Sequence, residues 1–129
     1  MRKTISFFAF ILFFNSCAQN FPDGNYTITT KVEEIGTENI INMKFDFYFD
    51  TDKVFLRLDT KNSQEAYCEG EYSLKENKNK ILILKYIGVG ICSSDSIINT
   101  IYIKRIKKFY YIKSGRFESN KWLKLEKSK

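Results

Sequence analysis

The sequence predicts an all-β protein: an eight-stranded antiparallel up-and-down barrel, with a two-sheet β-sandwich as the alternative. Three observations predict it. Apolar and polar residues alternate with period two in one stretch after another. No stretch carries an apolar stripe at the 3.6-residue period of a helix. Polar turns rich in Lys, Asn, Asp and Gly separate the apolar stretches at short intervals, and sequential strands joined by short loops favour a meander.

The first sixteen residues stand apart from that pattern. Arg2 and Lys3 precede Ile5–Phe14, a run of ten residues that holds five Phe and no charge. A charged start followed by an apolar run is the order of a secretory signal sequence, and this run is too short to span a bilayer as a helix. Two cleavage readings fit the next residues, Asn15–Gln19. Ser16-Cys17 sets a small residue before a Cys, and processing there makes Cys17 a lipidated N-terminal residue. Ser16-x-Ala18 satisfies the small-x-small rule, and cleavage before Gln19 releases a soluble chain. The expectation is lipidation at Cys17, with residues 1–16 a signal peptide, 17–25 a tether and 26–129 the barrel domain. The protein is then exported and held on a membrane of the bacterial cell envelope. The alternative is a secreted or periplasmic soluble protein.

The strands come in chain order. Tyr26–Val32 alternates and is strand one; Glu33–Asn39, holding Gly36, is a turn. Ile41–Phe49 is the cleanest alternation in the chain, with Ile41, Met43, Phe45, Phe47 and Phe49 inward. Asp50–Lys53 turns the chain, and Val54, Leu56 and Leu58 point inward on the return. Thr60–Glu65 is a polar loop. Ala66–Leu74 is strand four, with Gly70 in mid-strand marking a bulge or bend. Lys75–Lys80 is a turn of Lys, Glu and Asn only, and Ile81–Ile87, apolar on both faces, is a fully covered strand five. Gly88–Ser96 is the most irregular loop. Ile97–Ile106, Lys108–Lys113 and Trp122–Glu126 are strands six to eight, with a loop at Ser114–Asn120. With aromatics at 16% of the chain and several Phe inward, the interior is filled rather than an open cup.

Cys68 and Cys92 stand at the outer ends of the strand four to strand five hairpin. Hairpin geometry brings those ends together, and export makes a Cys68–Cys92 disulfide the expected outcome.

Few chemistries fit this composition. The chain has no His, which excludes Ser-His and Cys-His nucleophile systems. Two carboxylate pairs, Glu69/Glu71 and Asp50/Asp52, stand two residues apart in the sequence; on a strand that spacing puts Glu69 and Glu71 on one face, as the wet side of any strand does. Two lone Cys do not fill a tetrahedral zinc site, and Gly88-Val-Gly90 lacks the third Gly and the helix of a phosphate cradle. No catalytic residue, metal or cofactor is expected. Charge is uneven. Thr100–Lys129 holds ten Lys and Arg against two Asp and Glu, or +8, while Cys17–Asn99 holds nine against thirteen, or −4. Such an end suits anionic headgroups, an acidic partner or polysaccharide. Lys104–Lys113 interleaves bases and aromatics, but a signal sequence directs the chain away from cellular nucleic acid, and no nucleic-acid partner is expected.

A signal sequence ending near Ser16-Cys17, about 110 residues of strands, one Cys pair and a late Trp together resemble the small bacterial envelope β-barrel lipoproteins. These include lipocalin-like lipoprotein domains and the membrane-bound lysozyme inhibitors. Gly24-Asn-Tyr26 is similar to the Gly-x-Trp opening of lipocalin-like barrels. Ser114-Gly115-Arg116-Phe117 is similar to the Ser-Gly-x-x-Tyr loop that the inhibitors insert into the enzyme's cleft. The resemblance implies a non-enzymatic binding barrel whose partner is a small apolar ligand or a protein. It also implies, as the alternative, a periplasmic inhibitor or immunity protein that blocks a secreted hydrolase or toxin through Ser114, Gly115, Arg116 and Phe117.

Overall fold

The computed structural model describes residues 21–34, 37–59, 68–89 and 91–128. The expected signal peptide (residues 1–16), Cys17, Gly36, the expected Thr60–Glu65 loop, Ala66 and Gly90 lie outside the described residues. The strands are β1 (Gly24–Glu33), β2 (Ile40–Asp50), β3 (Lys53–Asp59), β4 (Gly70–Lys78), β5 (Ile81–Tyr86), β6 (Thr100–Ile106), β7 (Phe109–Ser114), β8 (Leu123–Lys124) and β9 (Glu126–Lys127). A single helical turn, α1 (Ile91–Ser94), sits between β5 and β6. All neighbours are antiparallel and the order is β8-β7-β6-β5-β4-β3-β2-β1-β9, an up-and-down meander curled into a nearly closed barrel.

Closure is the work of the last strand. The alternation predicts one element there, and the structure splits it in two. Leu123 and Lys124 pair with Ile112 and Tyr111 of β7, while Glu126 and Lys127 pair with Thr27 and Tyr26 of β1. Leu125, between them, is buried, and its N–H donates to the Tyr110 carbonyl at 2.9 Å. At the other end of β1, Phe117 bridges to Val32 and the Glu118 N–H donates to the Lys31 carbonyl at 2.8 Å. The two free edges of the sheet therefore meet through residues that follow β7, which cover part of each edge.

The inward residues are those the alternation names. Met43, Phe45, Phe47 and Phe49 of β2 are buried, as are Val54, Leu56 and Leu58 of β3; Ile41 is half-buried. The Phe45, Phe47 and Phe49 rings run along the barrel axis at 6.3 and 6.0 Å between centroids. Phe21 closes one end of this row, edge-on to Phe49 at 5.8 Å, and Phe117 closes the other, edge-on to Phe45 at 5.2 Å. The end of the tether is thus part of the core: Pro22 is fully buried, and β1 begins two residues before Tyr26.

Strands four to six differ from expectation. Gly70, at φ +130°, opens β4 rather than bulging it; the register shift falls between Leu74 and Glu76. Past that bulge the polar run pairs with Ile83, Leu82 and Ile81, so β4 extends to Lys78 and the turn shrinks to Asn79-Lys80, both at positive φ. β5 is covered on one face only: Leu82 and Leu84 are buried, while Ile81 and Ile83 are half-exposed on the outer wall. β6 starts at Thr100, and Ile97 and Ile98 belong to the loop before it.

The barrel has two unlike ends. Thr51-Asp52, Asn79-Lys80 and Lys107-Lys108 are tight turns at the end that holds Phe21. The longer connections, which come after β1, β3, β5 and β7, all lie at the opposite end, the loop end. Leu125→Ala removes the buried closing side chain and is expected to cost about 2–5 kcal/mol in urea unfolding. Lys127→Ala, on an exposed residue of β9 two positions further on, is expected to stay within about 0.5 kcal/mol of the parent. Equal stability of both variants would mean that the last strand does not close the barrel.

Candidate functional site

The loop end is where the chain departs from regular pairing, and four features fix its shape. The first is the Cys68–Cys92 disulfide, with Cα atoms 5.4 Å apart. It ties the segment entering β4 to α1. The second is a kink at Cys68, whose φ of 69° is left-handed. The buried Tyr72 hydroxyl donates to the Cys68 carbonyl at 2.8 Å and holds the kink from below. At the next residue, Glu69 Oε1 accepts the Leu58 N–H at 2.7 Å and takes over from the strand pairing that stops at Gly70.

The third feature is a polar network inside the β5–β6 connection. Asn99 and Thr100 are its buried polar residues. Asn99 Nδ2 donates to the Ser93 carbonyl at 3.2 Å, and Thr100 Oγ1 lies 2.8 Å from Asn99 Oδ1 and 3.2 Å from the Ser96 carbonyl. The Ile97 N–H donates to Asp95 Oδ1 at 3.0 Å. A loop satisfied in this way is held in one conformation.

The fourth is the β7–β8 connection, which carries the four residues singled out for partner binding. Ser114 is a turn former: its hydroxyl accepts the Arg116 N–H at 3.1 Å and its carbonyl accepts the Phe117 N–H at 3.1 Å. Gly115 is exposed and is not in a left-handed conformation; a side chain there would overlap Ile97, backbone included. Close approach, not positive φ, is the reason for a glycine. Arg116 is half-buried. Its guanidinium lies 5.9 Å from the centre of the Phe45 ring, and Nη2 lies 3.9 Å from Met43 Sδ. Phe117 is buried against Phe45. The structure therefore brings these four together as a lid on the barrel, with Gly115 the exposed member.

Arg116, Tyr72, Phe45, Ile98 and Ser114 ring a void of only ≈ 10 Å³. That is room for one water at most. Burial pushes the Tyr72 hydroxyl far above the ordinary tyrosine range; the Arg116 charge pulls against this and Tyr86 adds to it. A wider depression of ≈ 670 Å³ lies on the outer wall across β1–β4, where Tyr48, Phe55, Asp46, Arg57 and Glu69 contribute. Among the described residues no three His, Cys, Asp or Glu side chains converge as a metal site.

Sequence pattern alone misses the most exposed apolar side chains. Val89 is 89% and Ile97 66% exposed, with Ile87 half-exposed beside them, all on the β5–β6 connection. The alternation places Ile97 in a strand, and the structure places it in the loop. The signal for this group is the run of small and polar residues, Cys92–Ser96, that interrupts the apolar pattern between its members.

The chain matches no protein-family model, no curated protein and no solved structure.

Replacing Cys68 and Cys92 together by Ser is expected to cost about 3 kcal/mol in chemical denaturation, from the entropy of the freed loop. An unchanged midpoint would show that the loop end does not depend on the crosslink. Tyr72 contributes to the alkaline limit, as do Tyr26 and Tyr110, whose hydroxyls burial also pushes up. The folded-state proton of Tyr72 is held more tightly than the unfolded one. Its contribution to stability is therefore full below pH ~10 and is lost as pH rises past it towards the folded-state value. Thermal melts from pH 8 to 12 should show this fall, and Tyr72→Phe should make it shallower.

Proposed function

We propose that this protein is a non-enzymatic binding module of the bacterial cell envelope, anchored by lipid on Cys17, that engages a protein partner with the loop end of its barrel. The observation that carries the reading is the exposed aliphatic group Ile87, Val89 and Ile97 on a connection held by a disulfide and a buried polar network. Large apolar side chains left in water on a rigid loop are the mark of a contact surface. A rigid loop also loses little entropy on binding. The filled interior, with its ≈ 10 Å³ void, favours a partner outside the barrel over a small apolar ligand within it. The disulfide is consistent with an exported protein. The absence of His removes the commonest general base and so supports a role in binding.

The same exposed loop favours a second, narrower reading in which the partner is a secreted hydrolase or toxin and the protein is its inhibitor or immunity factor. In that reading Val89 and Ile97 enter the partner's cleft, and Arg116, over Phe45, supports the loop from behind.

Two measurements test the proposal. The protein exported from a bacterial host should have the mass of residues 17–129 plus acyl chains, and Cys17→Ala should abolish the acyl addition. A photo-crosslinker at position 89 should give one discrete adduct in envelope extracts, lost on Ile97→Asp, while a crosslinker at Lys44 on the far wall gives none. A bare chain would refute the anchor. Equal labelling from both positions, or none, would refute the loop-end contact.

A further inference from the structure

A second surface plays no part in the loop-end contact. It is the outer wall of β6, β7 and β8, running down to the tight turn Lys107-Lys108. In the paired register Ile106 stands opposite Phe109 at the turn, Lys104 opposite Tyr111, and Tyr111 opposite Lys124. All of these point away from the core. Ile106 is 45% and Phe109 39% exposed, as a pair, at the tip of the hairpin. Lysines surround the rings. Lys124 Nζ lies 3.9 Å from the centre of Phe109, Lys104 Nζ 4.4 Å from the centre of Trp122, and Lys113 Nζ 5.5 Å from the same centre. The outward side chains of β6 and β7 include no carboxylate. The neighbouring turn of β4 and β5 adds Lys78 and Lys80. The acidic turn, Asp50-Thr51-Asp52, and Asp23 lie at the same end but towards β1–β3.

We propose that this wall rests on an anionic phospholipid surface and sets the tilt of the barrel on its membrane, which rests on the lipid anchor of the proposed function. Three observations select that occupant. Aromatic and aliphatic side chains flanked by lysines match the chemistry of the headgroup boundary, where rings sit below the phosphates and ammonium groups reach up to them. The sign of the charge is opposite to that of anionic lipid, and on the β1–β3 side of the rim Lys53 stands among Asp50 and Asp52. The third is the exit of the chain. Phe21, the first described residue, is held at this end; the Tyr110 hydroxyl of β7 donates to its carbonyl at 3.4 Å. Cys17 is four residues further back, a reach of at most ~14 Å. An anchor so close to Phe21 brings the Lys107-Lys108 turn, and the wall that rises from it, to the headgroups and leaves the loop end free for a partner.

Trp122 is the only tryptophan in the chain and lies on this wall, so its emission reports the contact directly. The processed protein, purified after export, is added to phosphatidylcholine vesicles with and without 30 mol% phosphatidylglycerol, both carrying brominated acyl chains. On the anionic vesicles Trp122 should shift to shorter wavelength and lose about half its emission; on phosphatidylcholine alone it should not. Lys108→Glu with Lys124→Glu should remove the quenching, whereas Lys31→Glu with Lys44→Glu, the same charge change elsewhere on the barrel, should leave it. Near-ultraviolet circular dichroism checks that each variant is folded. Unquenched Trp122 on anionic vesicles overturns the proposal, and so does equal loss in both variant pairs. A Trp122 that answers to heparin but not to vesicles also overturns it, by naming a soluble polyanion as the occupant. The mass of the purified chain reports the anchor separately, so a missing acyl group and an idle wall are told apart.

Discussion

A single sheet with one apolar face has nothing to bury that face against except itself. That constraint organises this protein. Among the described residues the only helix is the single turn α1, so no helical layer covers the sheet. The meander must curl until its first and last strands meet, and the inward Phe, Leu, Ile and Val side chains then fill the space it encloses. The row of Phe45, Phe47 and Phe49 is the centre of that filling, and its ends are stopped by residues from outside the main strands, Phe21 and Phe117. Closure and filling depend on each other. A gap at Leu125 exposes the aromatic row, and a smaller aromatic row leaves the closing strand nothing to pack on.

Curling an even number of passes has a second consequence. Every connection of one kind falls at one end. Here the tight turns collect at the end that holds Phe21, and the long connections at the other. Short turns leave few choices of conformation, whereas long loops need additional restraint. The disulfide, the Tyr72 hydroxyl, the Asn99–Thr100 network and the close contact of Gly115 with Ile97 supply it. The described residues of the loop end are therefore tied to one another at several points, which suits a contact surface.

The wall of β6–β8 shows how a sheet face turned to solvent can still be specific. Lysines lie over aromatic rings that the core has no room for, and each ring lends a face to a cation while it is exposed. Two unlike surfaces, one aliphatic on the loops and one basic and aromatic on the wall, leave the barrel with a direction.

Much of this is legible in the sequence because a strand has a period of two. Alternation alone names the inward side chains of β2 and β3, and the absence of helical periodicity gives the fold class. The two Cys at the ends of one hairpin are enough to expect their bond. Local pattern fails where a residue's place depends on partners distant in sequence. Ile81–Ile87 reads as covered on both faces, but only the assembled barrel decides that Ile81 and Ile83 meet solvent. Phe117 and Arg116 read as a projecting loop, but the row of rings along β2 leaves an opening at its end, and filling it draws Phe117 inward. Val89 and Ile97 look like any apolar residues in a line of text. Their exposure depends on how the β5–β6 connection folds, where the disulfide and the Asn99 amide join segments whose meeting no period along the chain records. The sequence by itself determined which side chains seek the interior. Only the tertiary structure decided which of them found room there, because the volume inside a closed barrel is set by all its strands together.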